Sequence, residues 1–277
     1  MGRWRRGAGC MAMKDMTAIR LISTDFDGTL FAEFENPPVP VRLQRIIGSL
    51  QAQGAKWVIN TGRDMSSLME TLGQAGLGIQ PDYLVLVERE IYCLEDLQYV
   101  SLEEWNAACT RAHVDLFARI RTDLPALYKW VSSRFRAQLF SDSFSPLCIV
   151  ADNNVDMDII HRYLNEYCRQ VPELTVMRSD IYARFSHKDF NKGTALAEIT
   201  RRLGLQRTQV FAAGDHLNDL PMLRSEFAAY LGAPGNAVPE VKELLRSQGG
   251  HVSEGEHGHG VAEALERYLE VSVGRVS

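Results

Sequence analysis

The sequence predicts an α/β fold in which a parallel sheet is interrupted by an inserted α+β segment. Three observations support this prediction: strand and helix patterns alternate up to residue 87, long helical patterns fill the middle, and the alternation returns after residue 192. Strands that alternate with helices are typical of a parallel sheet. Because two alternating segments flank a different one, we expect the outer two to share one sheet.

The first alternating segment contains three predicted strands and two predicted helices. Residues 19–24 are a short β-type run, and apolar residues spaced as on a helix follow over 41–50. A second strand is predicted at 57–60 and a second helix at 64–74. The run 83–87 is almost continuously apolar, as in a strand that is buried on both faces of a sheet.

The middle of the chain has a different pattern, with long helices set among short strands. Helical patterns cover residues 102–120 and 154–168. Short strand patterns occur at 137–140, 147–151 and 182–185. This mixture predicts a separate α+β domain.

Alternation resumes in the last third of the chain. A helix is predicted at 193–203, a strand at 210–213 and a short helix at 221–224. A strand at 228–231 and a closing helix at 261–269 complete the pattern. These elements are expected to add to the sheet begun by the first segment.

The patterns divide the chain into predicted parts. Residues 18–88 and 186–277 are expected to form the core domain, and 89–185 an inserted domain. Residues 1–17 are rich in arginine near their start but lack a long apolar stretch, so we expect a disordered leader. A start codon assigned too early explains this segment equally well, with translation beginning at Met11, Met13 or Met16.

Composition and charge exclude several classes of function. The chain has 30 Lys and Arg against 35 Asp and Glu, and its formal charge of -5 gives no broad basic surface for nucleic acid. No stretch approaches the roughly 20 apolar residues of a membrane helix. The 5 cysteines are widely spaced and form no CxxC pair, which indicates reduced thiols and a cytoplasmic protein.

The strongest chemical signal follows the first predicted strand, in Asp25-Phe26-Asp27-Gly28-Thr29. Ligands of open α/β sheets collect at the carboxyl ends of strands. Two carboxylates at this spacing can converge, so that one attacks phosphorus while the other handles the leaving-group proton. An anionic carboxylate approaching a phosphate needs a cation, and hard oxygen ligands suit Mg²⁺. An ordinary acidic turn is the alternative.

A weaker signal, Thr61-Gly62-Arg63, follows the second predicted strand. A hydroxyl and backbone N–H groups at a helix start can hold phosphate oxygens. The alternative is a helix N-cap formed by Thr61 or Asp64.

Two further signals lie in the last third of the chain. Lys192 begins a predicted helix and could place an ammonium beside the attacking carboxylate, although most lysines are simply solvated. The acidic loop Gly214-Asp215-His216-Leu217-Asn218-Asp219 follows a strand and could complete a Mg²⁺ site. A polar capping loop is the alternative for this segment.

In this order, the four signals resemble the four sequence motifs of the haloacid dehalogenase superfamily: Asp-x-Asp-Gly-Thr, a Thr or Ser after the second strand, a Lys, and Gly-Asp-x-x-Asn-Asp. The resemblance covers nearly all of residues 19–270. The inserted segment lies between the second and third motifs, as in the subgroup with a large α+β cap, which includes Cof-type and sucrose-phosphate-phosphatase-like hydrolases. The resemblance implies a Rossmann-like parallel-sheet core with an inserted α+β cap domain.

The resemblance also implies a role for each motif residue. Asp25 would become the aspartyl-phosphate, and Asp27 would be the general acid and then the base, lending its backbone carbonyl to Mg²⁺. Thr61 and Lys192 would hold the phosphoryl group. The remaining implied roles are a direct metal ligand for Asp215, an outer-shell or occasional direct metal ligand for Asp219, a phosphate or substrate contact for Asn218, and positions beside the phosphate pocket for Gly62 and Arg63.

Three segments depart from the pattern of the superfamily. Glu88-Arg89-Glu90 stands where many relatives have a glycine-bearing turn, so the substrate contacts of those relatives are not assigned there. Asp189-Phe190-Asn191 replaces the usual Gly-Val-Ser, and His216 stands where a small Ser is common. None of these changes removes a catalytic group.

Polar residues of the inserted domain that face the phosphate would select the leaving group. The candidates are Arg89, Glu90, Tyr182, Arg184, His187 and Lys188, and each fits an ordinary solvated or interdomain side chain equally well. His251, His257 and His259 lie in a Gly-rich segment, but their spacing matches no compact metal site. We expect a mobile loop there.

The sequence therefore predicts a Mg²⁺-dependent phosphatase that acts on a small phosphorylated metabolite. Resemblance to the sucrose-phosphate-phosphatase-like subgroup puts a sugar phosphate first, before phosphoglycolate-type acids, nucleotides and pyridoxal phosphate. A phosphomutase and a catalytically silent ligand-binding protein stay open as alternatives. A dehalogenase is less favoured, because Asp27 and the acidic loop have no evident use in displacing halide. The pattern does not indicate an oligomeric state.

Overall fold

The computed structural model describes residues 19–273, with side chains described through residue 270. The predicted leader, residues 1–17, lies outside this range. The elements in chain order are β1 (Leu21–Thr24), α1 (Val41–Ala52), β2 (Lys56–Asn60), α2 (Met65–Ala75), β3 (Tyr83–Leu86), β4 (Glu90–Glu95), β5 (Gln98–Ser101), α3 (Glu103–Ile120), α4 (Leu124–Ser132), β6 (Ala137–Phe140), β7 (Cys148–Ala151), α5 (Asn154–Cys168), β8 (Leu174–Ser179), β9 (Tyr182–His187), α6 (Lys192–Arg202), β10 (Val210–Ala213), β11 (Tyr230–Ala233), α7 (Pro239–Ser247), β12 (His251–Val252) and α8 (His257–Val273).

The larger sheet has 8 strands in the order β12-β11-β10-β1-β2-β3-β4-β5. Its strands from β12 to β3 are parallel, and β4 and β5 extend it as antiparallel strands. The parallel strands come from both outer segments of the chain, which confirms the predicted α/β class. β1 lies near the middle of this sheet, where both of its edges are hydrogen-bonded.

Helices cover both faces of the larger sheet because successive strand residues point to opposite sides. Ile22 of β1 packs in a core with residues of α1, α2 and α8, whereas its neighbour Leu21 packs in a second core with residues of α6 and α7. The buried strands are therefore apolar on both faces, as the run at 83–87 predicts. No helix within residues 19–273 has the length and apolar character that a membrane span requires.

The smaller sheet has 4 antiparallel strands in the order β6-β7-β9-β8. Residues of α3, α4 and α5 pack with it around a separate hydrophobic core, which includes Leu116, Ile149, Ile160 and Phe185. This arrangement agrees with the α+β character predicted for the middle of the chain.

The residues at which the chain passes from one sheet to the other differ slightly from the predicted domain boundaries. β4 and β5, between residues 90 and 101, hydrogen-bond to the larger sheet, and β9 of the smaller sheet continues to His187. The division into 18–88 with 186–277 and 89–185 stays a prediction. We propose that the inserted unit begins at α3 and ends with β9.

Three predictions of local structure were wrong. Residues 221–224 form turns instead of a helix, because the Asp219 carbonyl accepts from both Met222 and Leu223 and no helical ladder continues. The strand expected at 228–231 lies at Tyr230–Ala233, where it pairs with β10. The histidine-rich segment is not a loop: it contains β12 and the start of α8, and strand pairing and helix packing hold it.

Candidate active site

The candidate site lies where three neighbouring strands of the larger sheet end together. Thr24 of β1 is opposite Ile59 of β2 and Ala213 of β10. The segments that begin at Asp25, Thr61 and Gly214 therefore leave the sheet at the same edge, as expected for parallel strands. The sheet topology brings together three of the four sequence motifs.

Lys192, the third motif, lies at the same edge. It is the first residue of α6 and is completely buried. Its Nζ donates to Asp25 Oδ1 and to Asp219 Oδ1, each at 2.6 Å. Burial alone would lower the pKa of this ammonium, but Asp219 and Asp25 hold its pKa above the ordinary value. Lys192 is therefore a fixed cation between two carboxylates.

The start of α6 is built to hold Lys192 in place. The Asn191 side chain caps the helix by accepting from the N–H groups of Gly193 and Thr194, at 2.9 and 3.1 Å. A Cβ on Gly193 would lie 2.3 Å from the Pro221 carbonyl oxygen, so only glycine permits this close approach. Asn191, which departs from the pattern of the superfamily, thus has a clear structural task.

Asp25, Asp215 and Asp219 form an acidic cluster in which one carboxylate oxygen of each residue lies within 4.8 Å of those of the other two. Asp219 Oδ2 accepts from the backbone N–H groups of Asp215 and His216, both at 2.9 Å. Thr29 donates its hydroxyl to Asp215 Oδ1 at 2.5 Å. Gly28 has a φ of +76°, and a Cβ there would lie 2.6 Å from Asp215 Oδ2. Glycine is required so that the first motif can pack against the acidic loop.

The electrostatics of this cluster fit a hard divalent cation. Burial and the nearby Asp219 raise the pKa of Asp25 well above its ordinary value and that of Asp215 to about 7. The Lys192 ammonium pairs with Asp25 and Asp219, so the three carboxylates of the cluster, when ionised, carry an excess of negative charge. A cation such as Mg²⁺ prefers oxygen ligands and would supply the missing positive charge.

Asp27 is positioned differently from Asp25. Its side chain is 48% exposed and pairs with Arg63 through two hydrogen bonds, from Nε at 2.8 Å and from Nη2 at 2.7 Å. Arg63 is in turn held by the hydroxyls of Thr71 and Ser67 on α2. The Asp27 carboxylate thus lies at the solvent side of the first motif, outside the acidic cluster.

Thr61 is buried, and its hydroxyl accepts from the Arg63 N–H at 3.1 Å. Asp64 caps α2 by accepting from the Ser67 N–H at 2.8 Å. Of the two residues weighed as the helix cap, Asp64 therefore has that task. Thr61, Gly62 and Arg63 line the cleft next to Asp25, as the second motif requires.

A cleft of about 280 Å³ separates this edge from the smaller sheet. Its lining includes Asp25, Asp27, Thr61, Gly62, Arg63, Asp215 and Asn218 from the motifs and Met177, Arg178, Ser179, Tyr182 and Arg184 from β8 and β9. Of the six specificity candidates, Tyr182 and Arg184 lie in this lining. Lys188 is exposed, and Glu90 faces a separate pocket with Phe144. Arg89 donates to the Phe144 carbonyl at 2.8 Å.

Sequence reasoning did not assign Glu88, which also lines the cleft. Its carboxylate accepts from Arg184 Nη2 at 3.1 Å and from Asn218 Nδ2 at 3.0 Å. Burial alone would raise the pKa of Glu88, but Arg184 and Lys192 hold its pKa below the ordinary value. The available signal was the departure from a glycine-bearing turn at this position.

Comparison with protein families finds a match over most of the described chain. The model of the haloacid dehalogenase-like hydrolase family matches residues 22–87 and 131–265, which together are more than half of the chain.

Several proteins named as phosphatases are similar in sequence. The chain is 28% identical to a phosphoglycolate phosphatase of Methanothrix thermoacetophila, over 50% of this chain and 59% of that protein. It is 26% identical to an HMP-PP phosphatase of Escherichia fergusonii, over 82% and 88% of the two chains. It is 25% identical to a 5-amino-6-(5-phospho-D-ribitylamino)uracil phosphatase of Bacillus subtilis, over 91% and 96%.

Solved structures show the same fold. The sucrose-phosphatase of Synechocystis sp. PCC6803, in complex with sucrose and phosphate, superposes with a TM-score of 0.68 and 20% identity. The superposition covers 91% of this chain and 98% of that one. The match therefore extends over the inserted domain as well as the larger sheet.

Proposed function

This chain belongs to the haloacid dehalogenase-like hydrolases, and we propose that it is a Mg²⁺-dependent phosphatase that hydrolyses a small phosphorylated metabolite through Asp25. One observation carries the proposal: a buried Asp25 carboxylate lies 2.6 Å from the Lys192 ammonium at the bottom of a cleft. Such a pair holds a nucleophile and a phosphate-binding cation together. The phosphatases among the similar proteins support the reaction class.

Asp25, Asp215 and Asp219 are the side chains that would hold the metal ion. When bound, Mg²⁺ offsets the repulsion between the attacking carboxylate and the anionic phosphate and stabilises charge on the phosphoryl oxygens. The excess negative charge of the cluster supports this assignment.

In the first step, a carboxylate oxygen of Asp25 forms a bond to phosphorus while the bond from phosphorus to the leaving oxygen breaks. Asp27 gives its proton to that oxygen, so the product leaves as an alcohol. Lys192 stabilises the phosphoryl oxygens through its buried ammonium, and the Thr61 hydroxyl and Gly62 N–H can hold the same oxygens. The result is a phosphoryl group on Asp25.

In the second step, a water molecule attacks phosphorus and gives a proton to Asp27, now the base. The bond from phosphorus to the Asp25 oxygen breaks, and inorganic phosphate leaves with Asp25 restored. Lys192 lies 2.6 Å from Asp25 and stabilises this carboxylate as it is released.

A sugar phosphate is the proposed substrate class. The structural similarity to a sucrose-phosphatase and the polar lining of the cleft support it. The other named relatives act on different phosphorylated small molecules, so the choice needs a direct test.

The test measures inorganic phosphate released from a panel of phosphorylated metabolites, with Mg²⁺ or with EDTA. It compares the wild type with Asp25→Asn and with Asp115→Asn, which changes an exposed aspartate on α3. We expect release by the wild type and Asp115→Asn with Mg²⁺, and none with EDTA. Asp25→Asn should lose activity by about 10³-fold or more while its circular dichroism and Tm stay close to those of the wild type.

Undiminished phosphate release by a folded Asp25→Asn would show that Asp25 is not the nucleophile. Equal release with EDTA and with Mg²⁺ would show that the reaction needs no metal ion. Silence of the wild type across the panel would move the assignment to a phosphomutase or to a ligand-binding protein.

A further inference from the structure

The turn between β3 and β4 carries backbone strain at the edge of the cleft. Val87 and Glu88 have φ values of 45° and 67°, a left-handed conformation that glycine adopts freely and a β-branched residue rarely does. A residue other than glycine held in this conformation stores backbone strain. Glu88 lies directly after residue 87, where the first segment matched by the family model ends.

The strained turn places the Glu88 carboxylate between the two sheets. Its backbone is tied to the second motif, since the Glu88 N–H donates to the Thr61 carbonyl at 2.9 Å. Arg184 reaches the turn from β9 and donates through one nitrogen, Nη2, to both Glu88 Oε2 and the Val87 carbonyl. Glu88, Arg184 and Asn218 are all more than nine-tenths buried. These three residues are called the Glu88 cluster below.

The Glu88 cluster has polar atoms without partners. Among the residues that the structure describes, three buried side-chain atoms lack a hydrogen bond, and two of them are Arg184 Nε and Asn218 Oδ1. One is a donor and the other is an acceptor, and both belong to residues that line the cleft. Buried polar groups without partners are costly, so both side chains would gain a hydrogen bond by turning toward a bound ligand that accepts and donates hydrogen bonds.

We propose that the Glu88 cluster is the subsite for the leaving group, that it selects a neutral, hydroxyl-bearing group, and that Glu88 is the residue that excludes anionic leaving groups. The inference rests on the proposed phosphatase function and refines its substrate class. Hydroxyl groups fit because each can accept from Arg184 and donate to Glu88 or Asn218. Polyols and sugars are therefore the chemistry that suits this subsite.

The balance of charge explains the exclusion of anions. Glu88 neutralises Arg184 at a distance of 3.1 Å, so the pair offers no net positive charge to a carboxylate or a second phosphate. The other arginines that line the cleft are also paired, Arg63 with Asp27 and Arg178 with Asp158. An anionic leaving group would therefore find no free cation in this lining to match its charge. A neutral hydroxyl-bearing group needs no such partner.

The test compares two substrates that differ in the charge of the leaving group, glucose 6-phosphate and 2-phosphoglycolate, with p-nitrophenyl phosphate as a measure of the chemistry. The variants are Glu88→Gln, which removes the charge, and Glu88→Gly, which also relieves the left-handed turn and frees Arg184. Glu90→Gln is the matched control, because Glu90 lies two residues along the chain and faces a separate pocket.

We expect the wild type to favour glucose 6-phosphate by at least about tenfold in kcat/KM. In Glu88→Gln the preference should fall by about tenfold, mainly through KM, and in Glu88→Gly it should move further toward 2-phosphoglycolate as Arg184 becomes free to pair. Turnover of p-nitrophenyl phosphate measures any general loss of activity in each variant, and the ratio of the two kcat/KM values is independent of such a loss. Glu90→Gln should keep the wild-type preference.

A wild type that favours 2-phosphoglycolate, or an unchanged preference in both Glu88 variants, would overturn the inference while leaving the phosphatase proposal in place. Loss of the preference in Glu90→Gln as well would also overturn it, because the effect would not be specific to the cluster. Failure of the wild type to hydrolyse any of the three phosphates would remove both proposals.

Discussion

The two sides of the cleft differ in how their charged residues are positioned. On the sheet side, Asp25 directly follows β1, Asp215 lies two residues after the end of β10, and Lys192 begins α6. The other side is closed by the smaller sheet, where Arg184 of β9 meets Glu88 from the turn after β3, although the two residues are 96 apart in the chain. The sheet side holds groups that any phosphoryl transfer needs, whereas this contact between the two sheets holds groups that only a particular leaving group needs. The difference separates chemistry from selectivity within one cleft.

The largest effect should come from the sheet side, in Lys192→Met. The change removes the buried cation that contacts both Asp25 and Asp219 at 2.6 Å. We expect kcat to fall by about 10³-fold on every substrate, because the phosphoryl oxygens lose their fixed positive charge in the transition state. Steady-state phosphate release at saturating Mg²⁺ measures the loss.

Lys188→Met is the matched control for this prediction, since Lys188 is an exposed lysine close to β9. It should keep kcat within about twofold of the wild type. A loss in Lys192→Met that differs strongly between substrates would contradict the comparison, because Lys192 would then act on the leaving group.

The next effect concerns metal binding and its dependence on pH. Burial and Asp219 raise the pKa of Asp215 from 3.8 to about 7. The metal-free folded protein binds this proton more tightly than the unfolded chain, so the free energy of unfolding should fall as pH rises from about 4 to about 7. Mg²⁺ competes with the proton, so the rise in Tm on adding Mg²⁺ should be larger at about pH 7.5 than at about pH 5.5.

Asp215→Asn tests the assignment of this pH dependence. The variant lacks the titrating carboxyl, so the metal-free protein should lose much of its stability change between about pH 5 and 7. Its affinity for Mg²⁺ should fall by roughly 10²-fold or more. Calorimetric titration with Mg²⁺ measures the affinity, and an affinity equal to that of the wild type would place the metal elsewhere.

This contrast also separates what the sequence could predict from what it could not. Asp25, Thr61 and the acidic loop follow strands that a local pattern of apolar residues predicts, and parallel pairing brings their ends together. The meeting of Glu88 and Arg184 depends on how the inserted domain lies over the sheet, which no local pattern contains. The side-chain pattern at 221–224 predicts a helix, but it does not show that the Asp219 carbonyl accepts from the N–H groups of both Met222 and Leu223, which forms turns instead.

A smaller effect is expected for Arg63→Lys, at the boundary between the two sides. A lysine cannot make the paired hydrogen bonds that Arg63 donates to Asp27 at 2.7 and 2.8 Å. If Asp27 is the proton donor, kcat for an alkyl phosphate should fall by about tenfold. Turnover of p-nitrophenyl phosphate should change little, because its leaving group needs no proton. An equal increase in KM for both substrates would assign Arg63 to phosphate binding instead.

The smallest effect is expected at a left-handed turn that lies outside the cleft, where backbone strain affects stability but not substrate selection. The β4–β5 hairpin turn has φ values of 46° at Asp96 and 65° at Leu97, much like those at Val87 and Glu88. Leu97 is 84% exposed and lines no part of the cleft. Since two-residue hairpins with both φ values positive favour glycine at the second position, Leu97→Gly should raise the free energy of unfolding by about 1 kcal/mol. Its kcat/KM should stay within about twofold of the wild type.

The free energies of unfolding of Leu97→Gly and Glu88→Gly, measured by chemical denaturation, compare the two left-handed turns directly. Both variants replace a left-handed residue with glycine, so both gain from relief of backbone strain. Only Glu88→Gly also removes a carboxylate that is bonded to Arg184 and Asn218, so its gain in stability should be smaller or absent. Equal stabilisation of the two variants, with the substrate preference unchanged in both, would mean that Glu88 contributes no more to this protein than the exposed turn does.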